Sequence, residues 1–252
     1  MKYPAVPTFL PLIGALIAAT LPATSRAAPP ANDGLWHGAV ALGGSLSSGN
    51  TVNKVLTANA DAALATQADK TTLYGQANYA STKNTGGTAT TSADSLRLGG
   101  RYDRDINGDL FGFGTAEYQT NKIAGLRSRE SAQVGLGWHV VRTDVTTFDV
   151  FAGLGGAHAA YTNLPSGSSF ETILGEESSH KISETTQFKQ RLTTHIASGE
   201  VGRLTTWDLT LSTALVGQWT LNTGLSLRNA SVVAPGAKKT DSLLTVGLGY
   251  KF

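Results

Sequence analysis

Cysteine is absent from this 252-residue chain, methionine occurs once, and charged side chains make up only 15% of it. Without cysteine there is no disulfide scaffold and no lipid-modified N-terminal cysteine. Past the N-terminal region no segment approaches the roughly 20 apolar residues a membrane helix needs. Charge of either sign is also scarce: 20 Lys and Arg face 18 Asp and Glu. Such a balance disfavours a nucleic-acid partner, which calls for a basic surface. What is plentiful is glycine, 29 residues, with many Thr, Ser, Ala and Asn. Short alternating strands built from small side chains use residues in this way.

The N-terminus reads as a targeting segment. Lys2 supplies a weak positive region, Phe9 to Leu21 an apolar core, and "TSRAA" places Ser25 and Ala27 at the small-residue positions of a cleavage site. The expectation is export with cleavage after Ala27: residues 1–27 a signal peptide, 28–35 a short N-terminal segment, 36–252 the folded body. Cleavage removes Lys2 and Arg26, leaving 18 basic against 18 acidic residues.

From Trp36 onward the dominant period is two, which assigns alternate side chains to opposite faces of a strand. In "WHGAVALGGSLS", Trp36, Val40, Leu42 and Leu46 oppose His37, Ala39, Gly43, Ser45 and Ser47. "SLRLGGRYD" sets Leu96, Leu98 and Tyr102 against Arg97, Arg101 and Asp103, and "SAQVGLGWHV" sets Val134, Leu136 and Trp138 against Gln133, Gly135, Gly137 and His139. "TTWDLTLSTAL", "QWTLNTGLSLR" and the final "LLTVGLGYKF" repeat the split, with Trp207, Trp219, Tyr250 and Phe252 on the apolar side and Asp208, Arg228 and Lys251 on the other. Helical spacing fits none of them.

Eleven turn-rich stretches, from "SSGNT" to "RNASVVAPGAKK", separate about twelve strands, with ten or fourteen as the alternative counts. Some are tight and others run past ten residues, the arrangement of an outer-membrane barrel with short periplasmic turns and longer outer loops. The eighth strand, around Phe170 to Lys181, shows no clear apolar face; a turn at "SETT" keeps the count even, as expected when both termini are periplasmic. Alternation alone also describes a soluble sandwich. A closed antiparallel transmembrane barrel is favoured by the aromatics near strand ends on the apolar face and by the Arg, Lys, Asp, Gly and Ser of the other face.

Four stretches carry a family resemblance: "LGGSLSSGNT", "RYDRDINGDLFGFGTAEYQTNKIAGLRSRESAQVGLGW", "GEESSHKISETTQFKQRL" and "APGAKKTDSLLTVGLGYKF". Together the chain resembles the YdiY-like family, described as salt-induced outer-membrane proteins of Gram-negative bacteria and of unknown function. The resemblance implies a barrel in the cell outer membrane. It assigns no activity to any residue.

The residues carry little chemistry that spacing can identify. Five histidines, His37, His139, His158, His180 and His195, have no local signature joining them to a serine nucleophile. "EESSH" puts Glu176, Ser178 and His180 on one face of a strand, which reads as a polar strand end more readily than as a metal site. No catalytic residue, metal ligand or cofactor is therefore assigned. The functional candidates are the inward charges Arg97, Arg101, Asp103, Glu117, Lys189, Arg191, Asp208, Arg228 and Lys251, with Glu184 as a further carboxylate. They either pair into a salt-bridged plug or line a water-filled path. Twelve strands fall between the filled eight-stranded barrel and the open porin. The leading expectation is a monomeric, porin-like barrel with a narrow pore for small solutes or ions, linked to envelope or salt stress. A non-conducting structural barrel is the alternative, and a barrel-embedded hydrolase ranks behind both. Its partners would be outer-membrane lipid, lipopolysaccharide and, during biogenesis, the barrel assembly machinery. By likeness to outer-membrane barrels generally, that machinery would read the terminal strand through Tyr250 and Phe252.

Overall fold

The computed structural model describes residues 33–47, 51–84 and 87–252. The expected signal peptide and most of the segment that follows it lie outside the described residues. Twelve strands follow one another: β1 (Trp36–Ser47), β2 (Thr51–Ala65), β3 (Asp69–Asn84), β4 (Thr90–Asp105), β5 (Leu110–Asn121), β6 (Leu126–Arg142), β7 (Thr146–Tyr161), β8 (Gly167–Lys181), β9 (Thr186–Ala197), β10 (Arg203–Ala214), β11 (Trp219–Ala230) and β12 (Thr240–Lys251). Each pairs antiparallel with its neighbour in sequence and β12 pairs with β1, so the sheet closes into a barrel without an edge.

Alternation explains why the ring closes this way round. The expected apolar faces point outward: Val40, Leu42, Leu98, Val134, Leu136, Leu154, Leu244, Val246 and Leu248 are all exposed on the outer wall. A soluble protein would not leave so continuous an apolar face in water, whereas lipid favours it. Outward aromatics gather at two levels. Trp36, Tyr102, Trp138, Trp219, Tyr250 and Phe252 ring the end where β1 begins and β12 finishes, the terminal end, and Tyr79, Tyr118, Phe170 and Trp207 ring the far end. Amphipathic rings sit at the two interfaces of a bilayer in this way.

The connections are shorter than the sequence implied. At the terminal end they run over residues 66–68, 106–109, 143–145, 182–185 and 215–218. At the far end the longest described connection is 231–239. Stretches expected to be loop, such as "TTSAD" (residues 90–94), continue the strands instead, because Thr and Ala alternation is satisfied by ladder bonding once neighbouring strands are present. The turn between β8 and β9 falls at 182–185, overlapping the expected "SETT" of residues 183–186.

The 231–239 connection folds over the far mouth. Ala234 N donates to Ala124 O at 2.9 Å, joining it to the β5–β6 turn on the opposite side of the ring. Val232 packs on a buried cluster of Leu126, Ala157, Ala159, Tyr161 and Val201 beneath it. At the other end the chain finishes on the seam: Phe252 exchanges both backbone hydrogen bonds with Gly38 at 3.1 Å. Its ring lies so close over Gly38 that an added Cβ would stand 2.6 Å from Cζ.

Candidate functional site: a charged and bridged lumen

The period-two pattern sends Arg97, Arg101 and Asp103 of β4, Glu117 of β5, Lys189 and Arg191 of β9, Asp208 of β10, Arg228 of β11 and Lys251 of β12 to the inner face, as their strand registers require. Glu184 does not join them. It lies exposed in the β8–β9 turn, within "SETT" itself, where no strand alternation directs a side chain inward.

At mid-height a hydrogen-bonded network crosses the lumen. Arg97 Nε donates to Glu117 Oε2 at 2.7 Å, and its Nη1 donates to Asp208 Oδ2 at 2.9 Å. Strands β4 and β10 stand six apart in a ring of twelve, so Arg97 reaches the opposite wall. Tyr74 Oη donates to Glu117 Oε2 at 2.6 Å, Ser226 Oγ donates to Asp208 Oδ1 at 2.6 Å, and the Gln119 amide also donates to Glu117. Each carboxylate is thus held by several donors, the condition under which an enclosed charge is tolerable.

Two further links cross at other heights. Toward the terminal end Lys70 Nζ of β3 lies 3.9 Å from Glu177 Oε1 of β8. Toward the far end Asn121 Nδ2 of β5 donates to Asp241 Oδ2 of β12 at 3.1 Å. Sequence reasoning paired none of these, since partners on opposite walls are set by closure and not by spacing.

Arg101 occupies a site of another kind. Its guanidinium carbon stands 4.2 Å from the Phe151 ring centre, 4.5 Å from that of Phe113 and 5.6 Å from that of Phe111, while Nε donates to Asp103 Oδ1 at 2.6 Å. Three inward phenylalanines form a cage for a cation, each ring face attracting it through its quadrupole. The rings fit because glycines face them: a Cβ on Gly137 would meet Phe111 Cζ at 2.1 Å, and one on Gly175 would meet Phe151 Cζ at 2.4 Å.

On the wall formed by β6, β8 and β9, Glu171 is fully buried and accepts from Arg129 and Gln133. His195 Nδ1 lies 2.7 Å from the same carboxylate. At the terminal mouth His139 stands between Asp149, 2.7 Å from Nδ1, and Asp105, 3.2 Å from Nε2. Both imidazoles are therefore bound to carboxylates and not to a nucleophile. Glu171 escaped sequence reasoning because β8 mixes its faces: Ile173 points inward and Glu176, Ser178 and His180 point outward. Outside, His180 contacts Thr146 and Glu176 contacts Gln190.

Several buried interior atoms have no protein partner among the described residues, including Arg101 Nη1, Arg129 Nε and Nη1, Arg191 Nε and Gln133 Oε1. Buried donors of this sort are satisfied by water. Around mid-height the inner faces of β12, β1 and β2 present mainly small groups, Ala39, Ala41, Gly43, Asn59, Gly247 and Gly249, between Lys251 toward one mouth and Leu243 and Asp241 toward the other.

A closed ring of twelve antiparallel strands, apolar and aromatic outside and charged inside, defines a transmembrane β-barrel of the outer-membrane kind. The chain belongs to the family described as a protein of unknown function, DUF481, whose model matches residues 40–252. No curated protein matches the sequence. Among solved structures the NanC porin is similar, with 11% identity, a TM-score of 0.52, and coverage of 85% of this chain and 100% of that one. An outer membrane channel from Pseudomonas putida F1 is similar at 12% identity and a TM-score of 0.47, covering 92% of this chain and 100% of that one. At 11% identity the likeness to the NanC porin is one of fold.

Proposed function

We propose that this protein resides in the cell outer membrane, with its terminal end periplasmic, and provides a narrow passage for small ions or solutes. The carrying observation is the interior itself. A barrel that served only as a scaffold would be filled more favourably by apolar side chains, because replacing buried ion pairs by hydrophobic groups is often neutral or stabilising by about 1–4 kcal/mol. This chain instead keeps arginines and carboxylates on the inner face throughout its height, with donors that call for water and one wall of small residues. Lys70 and Glu177 keep 47% and 38% of their side-chain surface accessible although they point inward, which marks open volume in the periplasmic half. The Arg97–Asp208 bridge is the constriction, and the 231–239 connection narrows the outer mouth.

A second reading, a non-conducting envelope barrel, is favoured by the links that cross the lumen at three heights. Planar-bilayer recording separates the two. The passage reading expects small unitary steps from the folded wild type and larger ones from Arg97→Ala. Silent recordings from both proteins, with folding verified, would establish the scaffold. An envelope or salt-stress setting rests on the family resemblance, and contact with lipopolysaccharide and the assembly machinery rests on the placement in the outer membrane.

A further inference from the structure

The outer wall carries an arrangement that the lumen does not explain. Gly100, Ala116, Ala132 and Gly156 face one another in register across β4 to β7, between Leu73 and Phe170. Small side chains between large ones leave a groove of about 970 Å³ in the outer surface. The next row toward the far end runs Leu98, Tyr118, Glu130, His158 and Ser168 across β4 to β8, at the level of the far aromatic ring. Glu130, His158 and Ser168 are exposed, stand on three consecutive strands and line that groove. His158 Nδ1 lies 2.9 Å from Ser168 Oγ. Glu130 is the cross-strand partner of His158 on its other side, where opposed Cβ atoms stand about 4.5–5.5 Å apart.

The barrel wall requires none of these three polar groups, since the same positions on other strands carry apolar side chains. A hydroxyl held against an imidazole is the nucleophile and base of acyl transfer, and Glu130, opposite His158 on the neighbouring strand, is the carboxylate placed to swing onto the imidazole and orient it. Its place at the outer interface, beside an apolar groove, selects the substrate. We propose that Ser168, His158 and Glu130 form a hydrolase site on the outer wall that cleaves an acyl ester of a membrane lipid whose chain lies in the groove.

In the first step Ser168 Oγ attacks the ester carbonyl carbon and passes its proton to neutral His158, forming a tetrahedral oxyanion. That intermediate collapses, the bond to the lipid alcohol breaks, and the departing oxygen takes the proton from His158, leaving an acyl–serine. Water then attacks the acyl carbon and gives a proton to His158. Collapse breaks the bond to Ser168 Oγ, which recovers the proton as the fatty acid leaves. Glu130 acts as a positioning residue, holding the imidazole and stabilising its protonated form.

The test uses the full-length protein folded into membranes in two arms, one of phospholipid alone and one containing lipopolysaccharide, with released fatty acid measured by mass spectrometry. Release in either arm supports the site and identifies the lipid source. Ser168→Ala and His158→Asn are expected to lower release by at least about 100-fold. Glu130→Gln is expected to lower kcat with KM retained and to shift the pH profile, with Glu130→Asp restoring part of the rate. Since all three side chains are exposed, folding of each variant is verified by its heat-modifiable migration. A fluorophosphonate probe gives an independent readout, because it should label Ser168 in the wild type and lose that label in His158→Asn. The proposal is overturned if neither arm releases fatty acid and Ser168 takes no label, or if release survives Ser168→Ala.

Discussion

At the scale of single residues, Glu171 has the most concentrated role in the interior. It is fully buried and bound by Arg129, Gln133 and His195. Glu171→Ala would strand a buried guanidinium, a loss expected to cost about 3–5 kcal/mol. Urea unfolding of the protein in lipid vesicles should show that decrease. Gly137→Ala tests close packing by another route. Its Cβ would fall 2.1 Å from Phe111 Cζ, so the ring and the Arg101 cage beside it must move. Small-to-large changes in a packed interior cost about 1–3 kcal/mol, and a matching fall in the unfolding midpoint is the expected result. The inward direction of Arg97, Arg101, Asp103, Asp208 and Arg228 was legible from alternation alone. Glu171, Arg129, Tyr74 and Lys70 were not picked out, because an inward polar residue is unremarkable until its partner across the lumen is known.

At the scale of elements, the last strand and its final residue close the ring. The β1–β12 seam is registered over Ala39–Leu42 with Lys251–Leu248, and Phe252 extends it by two backbone bonds to Gly38. The ring of Phe252 covers Gly38 on the outer wall. Deleting Phe252 is therefore expected to lower the yield of assembled barrel in cells while leaving the unfolding free energy of the assembled fraction within about 1 kcal/mol of wild type. Quantifying the heat-modifiable form in outer-membrane fractions checks the first part and urea titration the second. A deletion mutant that assembles at wild-type levels would sink the assembly role. The connections show the limit of sequence reasoning at this scale. Gly, Asn and Pro located the turns, but Thr- and Ala-rich flanks that looked like loop became strand once neighbours could supply ladder bonds.

For the whole molecule, the proposed passage would meet two obstacles in series, the 231–239 connection over the far mouth and the Arg97–Asp208 bridge at mid-height. Shortening the connection alone should change conductance little, since the bridge still narrows the path. Asp208→Ala alone should raise it, and the two changes together should raise it most. Single-channel recordings of the three variants give that ordering or reject the series arrangement. Higher ionic strength should have a modest effect on the bridge, because an enclosed pair is screened far less than an exposed one.

The sequence by itself determined two faces for every strand and, through its strand-end aromatics and polar inner face, favoured a barrel of about twelve strands with an apolar outside. A sandwich accepts the same period, and only the pairing of β12 with β1 in the folded ring decided for the barrel. Closure then decided what no period contains. It set which residues meet across the lumen, so that Arg97 found Asp208 on the opposite strand, and which strands lie side by side on the outer wall, so that Glu130, His158 and Ser168 share one row. Spacing along a strand is local, but distance across a barrel depends on strand number and register together, and those exist only in the folded ring.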